Sequence, residues 1–172
     1  MSLCSQKIVA YIAGFVVFKL KQCLKCETCL NALESSNHDY IHSLVMLKSR
    51  GALIFPSDDV IDICMTCEKV FRMHAAYFVS VEEDLSRVTF NEIMRSVLET
   101  YMYKPVFETL DHHIKDFGPL ENHLVFLIKA ITEKYIQVRC SYAGKHYTDN
   151  LIKSKESKSR QEYTKLILFK GM

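Results

Sequence analysis

The residues best suited to chemistry are two cysteines in a C-x2-C arrangement, Cys26 and Cys29, with Cys23 three residues earlier. Two thiolates on a tight turn can reach one tetrahedral zinc ion at about 2.3 Å. The spacing therefore predicts a zinc knuckle around residues 23–42 with Cys26 and Cys29 as ligands. The alternative is a cluster of free, partly buried thiols.

A structural zinc site normally has four ligands, so histidines are needed to complete this one. His38 and His42 follow the cysteines at C-x2-C-x8-H-x3-H, a gap shorter than the usual finger spacing. His123 is a more distant candidate at the start of a long amphipathic segment, although a hydrogen-bonded histidine at the edge of the core explains it too. His112 and His113 are further candidates.

A second C-x2-C pair, Cys64 and Cys67, follows the apolar stripe of a predicted helix. Free cysteine on such a stripe behaves as a small hydrophobic residue. We therefore expect both thiols in the core. The alternative is a four-cysteine site formed with Cys26 and Cys29.

Catalytic motifs are scarce, because the sequence has no Gly-rich phosphate loop, G-x-S-x-G or H-E-x-x-H. We expect no enzymatic activity and no small-molecule substrate, with a thiol- or metal-dependent hydrolase as the alternative. Seven cysteines without a secretory signal favour a reducing, intracellular compartment. The eleven apolar residues 8–18 are too few for the roughly 20 that span a bilayer, so they predict a buried helix and no membrane contact.

Composition and periodicity predict a mostly α fold with a small zinc knuckle near the N-terminus. Five glycines and three prolines among 172 residues are few for an all-β protein. Apolar spacing predicts helices over about 5–22, 40–48, 58–78, 89–103 and 120–138.

Local signals predict where two of these helices begin. Ser57 is placed to cap the third helix, and Thr89 with Glu92 forms a capping box for the fourth. Gly14, inside the first helix, is more typical of close packing than of chemistry.

The net charge is only +2, but its distribution is uneven. Residues 145–172 hold seven Lys/Arg and three Asp/Glu, a local charge of +4. We therefore expect a helical domain over 1–144 and a basic, partly flexible tail over 145–172. Such a tail can add affinity for phosphates or can simply be solvated.

Several ordered motifs resemble the C-terminal region of P-element-type transposases, including those that carry a THAP zinc finger. The resemblance rests on Tyr11–Val17, the Cys26/Cys29 knuckle, Leu47–Leu53, Pro56–Val60 and Lys69–Arg72.

This resemblance implies an accessory, nuclear domain without catalysis. In that family an RNase H-like core cuts and joins DNA, and this core, a GTP-binding insertion and the THAP finger would all lie upstream of the matched portion. Cys26 and Cys29, and less directly His123, are the implied metal ligands. The expected DNA contacts are Lys19, Lys21, Lys25, Lys48 and Arg50.

Two other interpretations stay open. The domain could be a protein-interaction or self-association module retained after loss of the catalytic core, with a protein partner, the transposase core or a second copy as its target. The lysines could also merely solvate helix faces.

Overall fold

The computed structural model describes residues 1–36, 39–49, 53–78, 83–110 and 122–153. Within these ranges the chain is helical and contains no strand, which confirms the mostly α prediction. The α-helices are α1 (Leu3–Lys21), α2 (Glu27–Ala32), α3 (Ser43–Lys48), α4 (Asp58–Phe78), α5 (Glu83–Tyr101) and α6 (His123–Lys153). Short 3₁₀ helices cover Tyr40–His42 and Glu108–Leu110.

The core lies where α4 packs against α1 and α5. One face of α4 follows the predicted stripe, and Val60, Cys64, Cys67 and Phe71 are all buried. Cys64 and Cys67 are therefore packing residues, as expected from their place on the stripe. The other helices add apolar faces to this core, including Val16, Val17, Leu20, Ile93, Val97, Leu127, Ile131 and Tyr135.

A short extended segment, residues 53–57, connects α1 and α2 to the start of α4. The Ser35 N–H donates to the Phe55 carbonyl at 2.9 Å, and the Ser57 N–H donates to the Leu33 carbonyl at 2.9 Å. The Ile54 carbonyl of this segment lies against Gly14 of α1, which is buried. The close-packing role expected for this glycine is confirmed, with an extended segment rather than a helix as its neighbour.

Two predicted helix starts differ from the structure. The Ser57 hydroxyl is buried and has no hydrogen-bond partner among the described residues, so it does not cap α4. Its backbone is held by the pairing with Leu33, which sets its position independently of a cap. Helix α5 begins at Glu83, so Thr89 lies inside the helix and is not its N-cap.

The start of α4 is tied instead to a strained loop residue. Phe107 has φ = 54°, a left-handed conformation that costs a non-glycine residue about 1–2 kcal/mol. Its side chain is buried, and its N–H donates to the Asp59 carboxylate at 3.0 Å. Burial and this hydrogen bond offset the strain.

One carboxylate lies in the core between α4 and α6. Glu68 is 2% exposed, and it accepts hydrogen bonds from the Tyr135 hydroxyl at 2.8 Å and from Arg72 Nε at 2.8 Å. A buried charge is tolerated only when it is paired and hydrogen-bonded, and both conditions are met here.

The chain divides into two compact units, Met1–Val138 and Arg139–Met172. The described part of the second unit is the helical stretch 139–153. The predicted boundary at residue 144 stays a prediction, and residues 154–172 of the basic tail lie outside the described ranges.

Helix α1 is longer than its apolar run suggests. It has 19 residues and is long and apolar enough to cross a membrane, by length and composition only. The eleven apolar residues 8–18 therefore understate the length of this helix, and length alone does not exclude a membrane span. Core helices of soluble proteins pass the same test, and seven residues of α1 are buried inside this fold.

Candidate metal centre

Three metal-ligating side chains converge beside α2. One ligand atom each from Cys26, Cys29 and His123 lies within 4.8 Å of the other two. The cysteines are local neighbours, whereas His123 comes from 94 residues further along the chain. Tertiary packing therefore brings the predicted knuckle to a histidine on another helix.

Backbone structure fixes each of the three positions. The Leu24 N–H donates to the Leu20 carbonyl at 2.8 Å and closes the turn after α1. Cys26 then stands immediately before α2 and Cys29 in its first turn, a spacing that turns both thiols to the same side. Asn122 Oδ1 accepts the Val125 N–H at 3.1 Å, which starts α6 at His123.

The group is hydrogen-bonded in the structure. Cys29 Sγ lies 3.4 Å from His123 Nδ1. Burial, together with the hydrogen bond and the charge of Cys26, raises the pKa of the Cys29 thiol to about 12. A metal ion binding here would have to displace the thiol protons.

The donor set suits zinc. Two thiolates and one imidazole are ligands typical of structural zinc sites. Tetrahedral thiolates bound at about 2.3 Å lie about 3.8 Å apart, and the ligand atoms here lie within 4.8 Å of one another. Side-chain movements of about 1 Å would therefore bring them to a common ion. The fourth ligand would come from outside this group, and a cavity of about 420 Å³ adjoins it. Its lining is Leu24, Lys25, Cys26, Cys29, Asn122, His123, Phe126 and Leu127.

The other candidate ligands lie elsewhere. His42 is buried, and its Nε2 donates a hydrogen bond to the Pro56 carbonyl at 3.0 Å. It therefore stabilises the extended segment and does not belong to the group of Cys26, Cys29 and His123. Cys23 is exposed and is also not in the group. Cys64 and Cys67 are in the core, and no four-cysteine cluster occurs among the described residues. His38, His112 and His113 lie outside those residues.

The predicted DNA contacts are spread over two helix ends and the knuckle. Lys19 and Lys21 lie in the last turn of α1, and Lys48 lies in the last turn of α3. Lys21 pairs with Glu34. Lys25 is exposed and lines the cavity beside the cysteines. Arg50 lies outside the described residues.

Two residues beside the site, Asn122 and Phe126, are not among those predicted from the sequence. Asn122 caps α6 and thereby places His123, and the preference of asparagine for N-caps was an available signal. Phe126, at 60% exposed, covers one side of the cavity one turn after His123, a contact with no local sequence signal.

Comparisons with known proteins agree with the predicted resemblance. The family described as "DNA transposase THAP9, C-terminal domain" matches residues 1–145. The human protein "DNA transposase THAP9" is 27% identical over 161 residues, which cover 84% of this chain and 16% of that protein. The chain thus spans about one sixth of the length of this relative. No solved structure matches the chain.

Proposed function

Because this chain belongs to the family of the C-terminal domain of DNA transposase THAP9, we propose that it is a non-catalytic, zinc-stabilised accessory domain. Its role would be to contact DNA or other parts of a transposition complex in the nucleus. The observation that carries this proposal is the convergence of Cys26, Cys29 and His123.

The zinc ion would be structural. Cys26 and Cys29 would hold it at the start of α2, and His123 would hold it at the start of α6. Bound there, the ion supplies a fixed link between two helices that are distant in the sequence. Structural zinc sites of this kind contribute directly to folding free energy.

The first experiment measures metal content by inductively coupled plasma and native mass spectrometry. We expect one zinc per chain, lost in Cys26→Ser/Cys29→Ser and in His123→Ala, with a lower melting temperature in each. Cys4→Ser and Cys23→Ser are matched controls, since both thiols are exposed and outside the group. An intact protein that takes up no metal in zinc-containing medium would refute the zinc centre.

Burial of the central thiols supports a non-catalytic role. Burial raises the pKa of Cys64 well above its ordinary value and raises the pKa of Cys67 to about 12. The thiolate is the nucleophilic form, so both side chains stay unreactive near neutral pH. A thiol-dependent hydrolase would need the opposite shift.

DNA contact would come from Lys19, Lys25 and Lys48, with Lys21 partly engaged by Glu34. Cations in the last turn of a helix also stabilise its carboxyl end, which is the competing explanation for Lys19 and Lys48. Phosphate contacts release counterions and make affinity fall steeply with salt, whereas a lysine that only stabilises a helix end leaves the affinity for DNA unchanged when it is removed.

Fluorescence anisotropy with a labelled duplex over a range of salt concentrations separates these roles. We expect Lys25→Ala/Lys48→Ala to weaken binding and to reduce the salt slope by about 0.9 for each lost phosphate contact. The control is Lys69→Ala/Lys129→Ala, which changes exposed lysines on α4 and α6. Equal slopes in both variants would remove these lysines from the proposed interface.

A second candidate function is protein interaction or self-association. It is favoured by large apolar side chains that α1 leaves exposed: Ile8, Tyr11, Phe15 and Phe18. A helix that is apolar on all sides is normally buried on all sides. The exposed side of α1 is therefore a candidate binding surface.

A further inference from the structure

The exposed side of α1 follows a heptad pattern. Cys4, Ile8, Tyr11, Phe15 and Phe18 succeed one another at intervals of four, three, four and three residues, the a/d spacing of coiled coils. Cys4 is exposed, and the four larger side chains are 47%, 36%, 42% and 43% exposed in chain order. These five residues are called the α1 seam.

The opposite side of α1 is already used. Val9, Ala13, Val16 and Leu20 lie between the seam positions and are buried in the fold. Helix α1 therefore has two apolar sides, of which one forms the core and the other is a narrow exposed strip.

The flanks of the seam are basic. Lys7, Lys19 and Lys21 occupy the e and g positions of this heptad, and α1 contains no acidic residue. Two of them also have contacts within the fold, because Lys7 Nζ lies 3.5 Å from the centre of the Tyr40 ring and Lys21 pairs with Glu34. Lys19 Nζ lies 5.5 Å from the centre of the Phe15 ring and 5.9 Å from that of Phe18, which keeps its charge beside the seam. In coiled coils, charges at e and g select the partner.

We propose that the α1 seam binds a partner helix with apolar a and d positions and acidic e and g positions. This inference rests on the protein-interaction function above and names its partner, but it needs neither the zinc centre nor the DNA contacts. A second copy of α1 is a poorer partner, because α1 itself carries no carboxylate that could pair with these lysines across the seam.

A membrane is also a poorer partner for the α1 seam. Crossing a bilayer would require α1 to leave the core, where Val16 and Val17 are fully buried. The seam presents a single apolar side chain at each a or d position, which is the arrangement that knobs-into-holes packing with another helix requires.

The test measures binding of the full chain to two labelled synthetic peptides of about three heptads each. Both carry Leu at a and d; one has Glu at every e and g position and the other has Lys. We expect the acidic peptide to bind about tenfold or more tightly than the basic one at low salt. Phe15→Gln/Phe18→Gln should abolish this binding, while Tyr103→Gln, an exposed aromatic elsewhere, should not change it.

A charge exchange keeps the test decisive if the apolar variant folds poorly. Lys7→Glu/Lys19→Glu should reverse the preference between the two peptides. Equal binding of both peptides, or no reversal in this variant, would overturn the proposal.

Two further measurements address the other occupants. Sedimentation that shows a dimer lost in Phe15→Gln/Phe18→Gln, without peptide binding, would assign the seam to self-association. The second measurement is binding to vesicles of phosphatidylcholine with phosphatidylserine. Vesicle binding that needs the seam, without peptide binding, would assign the seam to a membrane. Either result overturns the helix proposal. Zinc content of the same preparations reports separately on the zinc centre, and DNA anisotropy of Phe15→Gln/Phe18→Gln, which keeps every lysine, reports separately on the DNA contacts.

Discussion

The carbonyl oxygen of Ile54 occupies the space that a side chain on Gly14 would need. A Cβ on Gly14 would lie 2.5 Å from this oxygen, which is closer than real Cβ atoms approach backbone. The neighbour is main chain in a paired segment, so it cannot rotate away as a flexible side chain would.

We therefore expect Gly14→Ala to lower the free energy of unfolding by about 1–2 kcal/mol, because overpacking exceeds the gain of about 1 kcal/mol in helix propensity. Urea denaturation followed by circular dichroism measures the change. Gln6→Ala on the same helix should be neutral or slightly stabilising. A Gly14→Ala protein as stable as the parent would show that the segment can move.

Substitutions of His42 and His123 should have different effects on zinc content. His42→Gln removes a buried hydrogen bond to the Pro56 carbonyl and should cost about 1–2 kcal/mol of stability, with zinc content unchanged. His123→Gln should instead reduce zinc content. Metal analysis and thermal denaturation of both variants decide this, and zinc loss in His42→Gln with retention in His123→Gln would reverse the assignment.

Cysteine reactivity should follow burial. Brief treatment of the folded protein with iodoacetamide, followed by peptide mass mapping, should label the exposed Cys4 and Cys23 first. Cys64 and Cys67 should react only in denaturant, because both are fully buried and protonated. Early labelling of Cys64 or Cys67 would mean that α4 opens more readily than its packing implies.

The carboxyl group of Asp59 makes the stability of the folded protein depend on pH, with a direction that follows from its pKa shift. Burial raises the pKa of its carboxyl above 3.8, the hydrogen bond from the Phe107 N–H opposes this rise, and the charges of Asp58, Asp62 and Glu108 add to it. The folded state therefore binds the proton more tightly than the unfolded state does. The contribution of Asp59 to stability falls as pH rises from the unfolded pKa through the raised folded pKa.

Asp59→Asn removes this titration and keeps an oxygen that can accept from Phe107. We expect its stability relative to the parent to rise with pH from about 4 until Asp59 is fully ionised, and then to level off. Asp59→Ala should be less stable at every pH by about 1–3 kcal/mol, because the Phe107 N–H loses its acceptor. Melting temperatures between about pH 4 and 7 test both, and a pH-independent difference for Asp59→Asn would contradict the pKa shift.

Local patterns predicted the helices and the packing of α4 well. The stripe from Val60 to Phe71 is visible in the sequence because helical spacing places its residues on one face. The same locality explains why Cys64 and Cys67 were correctly assigned to the core.

Contacts between distant residues were harder to predict. His123 was only a secondary candidate, since nothing in the spacing of Cys26 and Cys29 indicates which remote histidine the fold brings to them. His42 has the more suggestive spacing, but its ring is held by Pro56. Thr89 carries a capping signal that the longer α5 overrides. Helix α1 is apolar all round, so periodicity alone could not say which side the core covers.

A metal ion that stays bound to Cys29 and His123 when the helices unfold would also restrict the unfolded chain. The two residues are 94 positions apart, so the ion would close a loop that contains α3, α4 and α5. Closing a loop of this length lowers the entropy of the unfolded chain by an amount worth about 4–5 kcal/mol at 25 °C. The ion would thus be a reversible cross-link, comparable to a disulfide but removable by a chelator. A chain cut between α5 and α6 would then stay in one piece for as long as the metal is bound.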